Sequence, residues 1–330
     1  MTTANTTRRD GFTLIELLVV ISIIIVLGAV SAGAYFRIKA AQAVTATETN
    51  IGKLNSNLRQ NWEIVVKQAG DDVRDEKLPE VRALITLLNG NKELAKVLWT
   101  YIRLRLDFPT TFREAQSPIT VGSFTAQPKR IFMPPALPAF ASVPAVPSEE
   151  QSAACLFLAL TATGRSGNTV GLEGLNNQAA DLNLTGAPAG TTPVKVFNDS
   201  WGKPLAFCRI GFNAMELDTA EYTKANVYRD PFDPTGQIPK YAALSAANQA
   251  SVNAIWAQLN QYHMTVGGVT PVEYSAYVGA DRPPLIPPRP TRHWYPTIIS
   301  GNSDRTFDAG LGTGNDIVSY RLSREGTKGN

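Results

Sequence analysis

Histidine and cysteine are nearly missing from this chain of 330 residues, which has two of each. His263 and His293 stand in no H-E-x-x-H or other metal spacing, which argues against a histidine-based metalloenzyme. Cys155 and Cys208 are too few for a Cys-rich zinc site. Charge is also sparse, at 18% of residues, and the net +3 is too small to imply a nucleic-acid partner. No basic stripe interleaved with aromatics reverses that reading, so none is expected. There is no G-x-S-x-G elbow and no Walker loop, and Gly310-Leu-Gly-Thr-Gly314 lacks the spacing and the following helix of a dinucleotide site. What is plentiful is apolar: 44% hydrophobic residues exclude disorder throughout and suffice for one large or two small folded units. The 22 prolines and 25 glycines promise many loops.

The densest apolar run, Phe12 to Val30, lies near the start. From Phe12 to Phe36 there are 25 residues, giving roughly 37 Å of helix against a bilayer core of about 30 Å. The segment is long enough to span. Arg8 and Arg9 against the single Asp10 put the N-terminus in the cytoplasm and everything after Phe36 outside. A secretory signal cut after Ala32-Gly33-Ala34 is one reading, but its apolar stretch should run about 7 to 15 residues and hold no carboxylate. Glu16 breaks that pattern and also sits poorly in a plain anchor, because a charge at the centre of a membrane helix costs about 2.5 to 3.5 kcal/mol. Its shallow place, at the positive end of the helix dipole, lowers the cost.

The run Arg8-Arg9-Asp10-Gly11-Phe12-Thr13-Leu14-Ile15-Glu16-Leu17-Leu18-Val19-Val20-Ile21 resembles the class III signal of type IV prepilins and type II secretion pseudopilins. The resemblance implies that a prepilin peptidase cuts after Gly11 and N-methylates Phe12, and that the apolar helix stays on the protein. It implies that Glu16, fifth in the mature chain, pairs with the free N-terminus of a neighbouring subunit during assembly. Implied partners are other copies and pilin-like subunits, the peptidase and inner-membrane assembly machinery. One departure is Gly33, with Gly28 before it, where many pilins have a helix-bending proline. Glycine weakens a helix by about 1 kcal/mol without removing a hydrogen bond, so a local bend or melting is allowed there.

Val44, Ile51, Leu54, Leu58, Trp62 and Val65 continue a helical stripe outward, and Gly70-Asp71-Asp72 reads as its end. The expected organisation is a leader, 1–11; a membrane segment, 12–36; an exported helix, 37–68; and a head, 69–330, with a Pro-rich insertion, 109–147. Two helices are expected over about 78–106, broken at Asn89-Gly90-Asn91. Eight prolines between Pro109 and Pro147 exclude a long helix or a central strand there. Ser148-Glu149-Glu150 opens a short helix over Gln151 to Leu160, and another is expected from Ala243 to His263. Short antiparallel strands are expected at Pro193–Phe197, Leu205–Ile210, Thr297–Ser300 and Ile317–Leu322.

Between the last two runs, short oxygen-bearing side chains and glycines concentrate, which suits a hard cation or a solvated turn. The segment is similar to the calcium loop of major pseudopilins, which implies Ser300, Asp304, Asp308, Asn315 and Asp316 as ligands for Ca2+. Arg305 and Asn315 depart from that pattern. A second similarity to the same family is Asp199-Ser200-Trp201-Gly202-Lys203-Pro204, where Trp201 reads as core and Gly202 as a turn residue. Cys155 and Cys208 fall in the exported part, where a disulfide between them is permitted, as are two buried thiols.

The expected fold class is α+β: a long N-terminal transmembrane and filament helix, then a pilin-like head with further helices and a small antiparallel sheet. The expected function is a non-enzymatic structural subunit of a type IV pilus-like or type II secretion pseudopilus filament, in the inner membrane with its head outside the cytoplasm. The rival is an exported enzyme or binding domain tethered by the same anchor.

Overall fold

The structure is a computed structural model that describes residues 14–143, 145–161, 179–209, 232, 237, 240, 243–260, 296–301 and 317–319. The chain divides into two units, Met1–Ala46 and Thr47–Asn330.

In the first unit, helix α1 (Leu14–Asp75) is described from within the apolar run onward. Leu14 to Ile38 expose their large side chains on every side, Leu14 at 83% and Phe36 at 67%, the pattern of a helix whose partner is lipid or other helices. It is the one helix among the described residues long and apolar enough to cross a membrane. Ser22, the polar interruption, donates its hydroxyl proton to Leu18 O at 2.8 Å and also lies 2.9 Å from Val19 O. The hydroxyl is thereby satisfied without water. Gly28 and Gly33 lie within unbroken helix.

In the second unit the same helix buries Thr47, Ile51, Leu54, Leu58, Trp62, Val65, Ala69 and Val73. The stripe read from the sequence is therefore a core stripe. The helix does not stop at Gly70 but runs to Asp75. Packing explains the extension: Asp72 Oδ2 accepts the Trp99 indole proton at 3.0 Å and lies 3.8 Å from Arg103. Gly70 lets the Lys96 side chain pass close above the backbone.

Helices α2 (Pro79–Leu87) and α3 (Lys92–Asp107) follow as expected. Asn89 and Gly90 take positive φ between them, and the Asn91 side chain caps α3 by accepting Leu94 N–H at 3.0 Å. The Pro-rich insertion holds a short helix α4 (Phe112–Gln116) and a hairpin, β1 (Ile119–Val121) and β2 (Phe124–Ala126), turned at Gly122 with φ 60°. Its two strands leave β1 and β2 at edges, where neighbouring prolines do no harm. The outer edge of β1 is closed by a side chain: Gln258 accepts Thr120 N–H at 2.8 Å and donates to Thr120 O at 3.3 Å. After the hairpin come two 3₁₀ turns, Arg130–Phe132 and Phe140–Ser142.

Helix α5 (Ser148–Thr161) packs on β4 (Val194–Phe197) and β5 (Ala206–Cys208). Strand β3 (Ala179–Leu182), which the sequence reading lacked, pairs antiparallel with β4. Strand β5 pairs antiparallel with β6 (Thr297–Ser300), and β6 with β7 (Ile317–Val318). Helix α6 (Ala246–Asn260) lays Val252, Ile255, Trp256 and Leu259 on α2, α3 and the hairpin. Among the described residues, one apolar cluster gathers the end of α1, α2, α3, α6 and the hairpin, and another gathers α4, α5, β4 and the Pro-rich arm through Phe132, Leu137, Val143 and Val146. The class is α+β, with a long N-terminal helix, further helices and small antiparallel sheets.

Candidate functional site

Of the processing residues, Gly11 and Phe12 lie outside the described residues, and Glu16 falls in the first turn of α1. Helical spacing sets Ile15 over Val19 and Glu16 over Val20, so the carboxylate is the polar point on a shallow apolar furrow. A carboxylate there is tolerable near an aqueous or positively charged neighbour and unfavourable inside an apolar bundle without one.

Ser300 and Asp199, one residue from each of the two C-terminal segments singled out in the sequence, meet in the structure. Ser300 ends β6, fully buried, and its hydroxyl donates to Asp199 Oδ2 at 2.8 Å. Asp199 Oδ1 accepts the backbone N–H groups of Trp201 and Lys203, both at 2.9 Å. Asp199 N–H closes the turn on Lys203 O at 2.8 Å, with Gly202 at φ 78°. Next in the turn, Ser200 N–H donates to Thr47 Oγ1 at 3.1 Å, and Thr47 Oγ1 lies 3.0 Å from Ser200 Oγ. One carboxylate thus joins the turn to the central strand of its sheet, and the turn is stapled to α1 at the first residue of the compact unit. Trp201 is half-exposed rather than core, because Asp199 and Thr47, not the indole, hold the turn.

Asp304, Asp308, Asn315 and Asp316 lie outside the described residues. Ser300, the described member of that set, already commits its hydroxyl proton to Asp199, so a cation beyond it would rest chiefly on the other four. Among the described residues no group of three His, Cys, Asp or Glu is placed to hold a metal. Cys155 and Cys208 are two buried thiols, not a disulfide. Burial pushes the Cys155 thiol well above its ordinary pKa, with the nearby Glu114 charge adding to the effect. A thiol so placed is unreactive.

The sequence reading missed a buried ion cluster. Glu114, on α4, is 1% exposed. Arg209 reaches its Oε1 at 2.7 Å and Arg105, from α3, lies 3.6 Å away. Thr110 donates to Oε2 through its N–H at 2.6 Å and its hydroxyl at 2.9 Å. A second Arg209 nitrogen donates to Phe108 O at 3.2 Å. The hint in the sequence was Arg103-Leu-Arg105-Leu-Asp107, charges alternating with leucines at the end of α3. The cluster presents no open carboxylate or thiol to a substrate, and its role is to hold α3, α4 and the residue after β5 together.

The family model for the prokaryotic N-terminal methylation motif matches residues 6–32. No curated protein and no solved structure matches the chain. The match covers Gly11, Phe12, Glu16 and the apolar half of the first unit, and does not extend to the Asp199 turn or the segment after Ser300. The chain carries a type IV prepilin-type signal at its N-terminus, on a helix apolar enough to anchor it in a membrane.

Proposed function

We propose that this protein is a structural subunit of a type IV pilus-like or type II secretion pseudopilus filament, cut after Gly11 and N-methylated at Phe12 by a prepilin peptidase. The observation that carries the proposal is the combination in one segment of the methylation motif and a helix whose apolar side chains stay exposed from Leu14 to Ile38. Before assembly those side chains are covered by the lipid of the inner membrane, with the head outside the cytoplasm; after assembly they are covered by the helices of neighbouring subunits. The exchange of one apolar surrounding for another costs little hydrophobic energy, so specificity must come from polar groups. Glu16 supplies it: its carboxylate meets the amine freed at Phe12 of the next copy, and packings that leave the acid unpaired are penalised. The head does no chemistry in this reading. Ca2+ bound between β6 and β7 belongs to the same proposal, with Asp304, Asp308, Asn315 and Asp316 as the principal ligands.

Mass spectrometry of the chain co-expressed with a prepilin peptidase is the test. The expected product lacks residues 1–11 and carries a methyl group on Phe12. An intact leader, or cutting near Ala34, would overturn the proposal and leave a tethered exported domain in its place.

A further inference from the structure

The chain holds three Asn-x-Ser/Thr triplets, Asn5-Thr6-Thr7, Asn183-Leu184-Thr185 and Asn198-Asp199-Ser200. In an exported protein such a triplet, with no proline in the middle, is the acceptor for an N-linked sugar and belongs on a surface loop. Asn5 falls in the leader and outside the described residues. The other two lie in the head, and the structure treats them differently. Asn198 is half-buried, and its side-chain oxygen is buried. Its backbone bridges Pro204 across the turn, and the two residues after it are tied down: Asp199 holds Trp201, Lys203 and Ser300, and Ser200 N–H donates to Thr47. A sugar could be joined there only by taking the turn apart.

Asn183 is placed the opposite way. It follows the last residue of β3, and the leucines on either side go inward, Leu184 buried and Leu182 partly so, both in the cluster that contains Cys155 and Val194. Asn183 between them is exposed. So are Asp181, which pairs with Lys195 at 2.8 Å, and Thr185. The stretch Asp181-Leu182-Asn183-Leu184-Thr185 thus carries an acid, an amide and a hydroxyl at every second residue, on exposed positions. Prokaryotic oligosaccharyltransferases read an acid two residues ahead of the asparagine together with the triplet itself. Beyond the triplet the chain turns at Gly186, φ 74°, where a Cβ would meet Ala145 O at 3.2 Å. The turn is fixed against its neighbour, and a bulky hydrophilic group on Asn183 displaces nothing that is packed.

We propose that Asn183 is a site of N-linked glycosylation, its donor a sugar carried on a polyprenyl diphosphate. Asn183 Nδ2 forms a bond to the anomeric carbon as the bond from that carbon to the diphosphate oxygen breaks. One amide proton passes to a base on the transferase, and polyprenyl diphosphate leaves. In the folded head Thr185 donates its hydroxyl proton to Glu150 Oε1 at 2.5 Å and its N–H to Glu150 Oε2 at 2.8 Å. The transferase reads that hydroxyl, so the sugar goes on before the turn docks on α5. The proposal rests on the head lying outside the cytoplasm, as in the function proposed above, and not on cleavage or assembly.

The test is tandem mass spectrometry of the protein purified from the cells that naturally make it. Trypsin sets the two head triplets apart, Asn183 on residues 166–195 and Asn198 on residues 196–209. The expected result is a sugar mass on 166–195 alone, assigned to Asn183 by electron-transfer fragmentation. It should be lost in Asn183→Gln and kept in Thr185→Ser, whose hydroxyl also completes the triplet. A bare 166–195 overturns the proposal. So does a sugar that survives Asn183→Gln, which would place it on a neighbouring serine or threonine. Protease added outside spheroplasts separates the two ways of failing. A digested head with Asn183 bare rejects this site alone, whereas a protected head rejects the placement outside the cytoplasm as well.

Discussion

A carboxylate costs most where water cannot reach it, and Glu114 sits in such a place, 1% exposed. Glu114 carries its own counter-charges. Burial alone would raise its pKa, but the charge and hydrogen bond of Arg209, the charge of Arg105 and the Thr110 N–H outweigh burial and hold it below the ordinary value of 4.5. A carboxyl depressed in the fold contributes stability that is present above its unfolded pKa and lost as pH falls through the folded one. Urea titrations below pH 4.5 should therefore show a steeper loss of stability for the parent than for Glu114→Gln. At neutral pH that variant should be destabilised by about 3 to 5 kcal/mol, because two arginines are left buried with less charge to meet them. In the proposed filament Glu16 also meets the charge of another molecule. Glu16→Ala should leave cleavage after Gly11 intact and impair incorporation into filaments, measured by sedimentation of sheared filaments. Normal incorporation would remove the acid from the assembly mechanism.

Among the elements, those that pack by their own periodicity were readable from the sequence. Helices α2, α3 and α6 follow from apolar steps of three and four, and β4, β5 and β6 from short β-branched or aromatic runs. What escaped was decided by partners distant in sequence. Gly70-Asp71-Asp72 reads as a stop, yet Trp99 and Arg103 bind Asp72 and carry α1 onward to Asp75. Strand β3 has only Ala180 and Leu182 to signal it and exists because β4 pairs with it. The Asp199–Ser300 link and the Arg209–Glu114 pair each join residues about a hundred positions apart, beyond any local pattern. The helix through Gly70 gives its own test. A Cβ there would come within 3.3 Å of the Lys96 Cε, the far end of a side chain free to swing aside. Gly70→Ala should thus stabilise the protein by about 0.4 to 1 kcal/mol, through the entropy of the unfolded chain, in a denaturation midpoint.

At the scale of the whole molecule, the N-terminal signal was legible because its chemistry is compressed into a few contiguous residues, whereas the head's architecture depends on packing that no short window contains. The proposed cation belongs to this scale, since ligands after β6 would act on stability through the sheet that Ser300 ends and the Asp199 turn that it holds. A thermal melt of the purified protein should shift upward by several degrees with millimolar Ca2+ and return on adding chelator, as ligand binding to the native state requires. An unmoved midpoint would remove calcium from the account. If the proposed filament grows through its stems, the heads must be kept from joining one another, and an open ladder is an invitation to do so. The amide of Gln258, lying along Thr120 as an extra strand would, works as a plug. Replacing it with alanine would unseal that border and favour disordered clumping over ordered fibres.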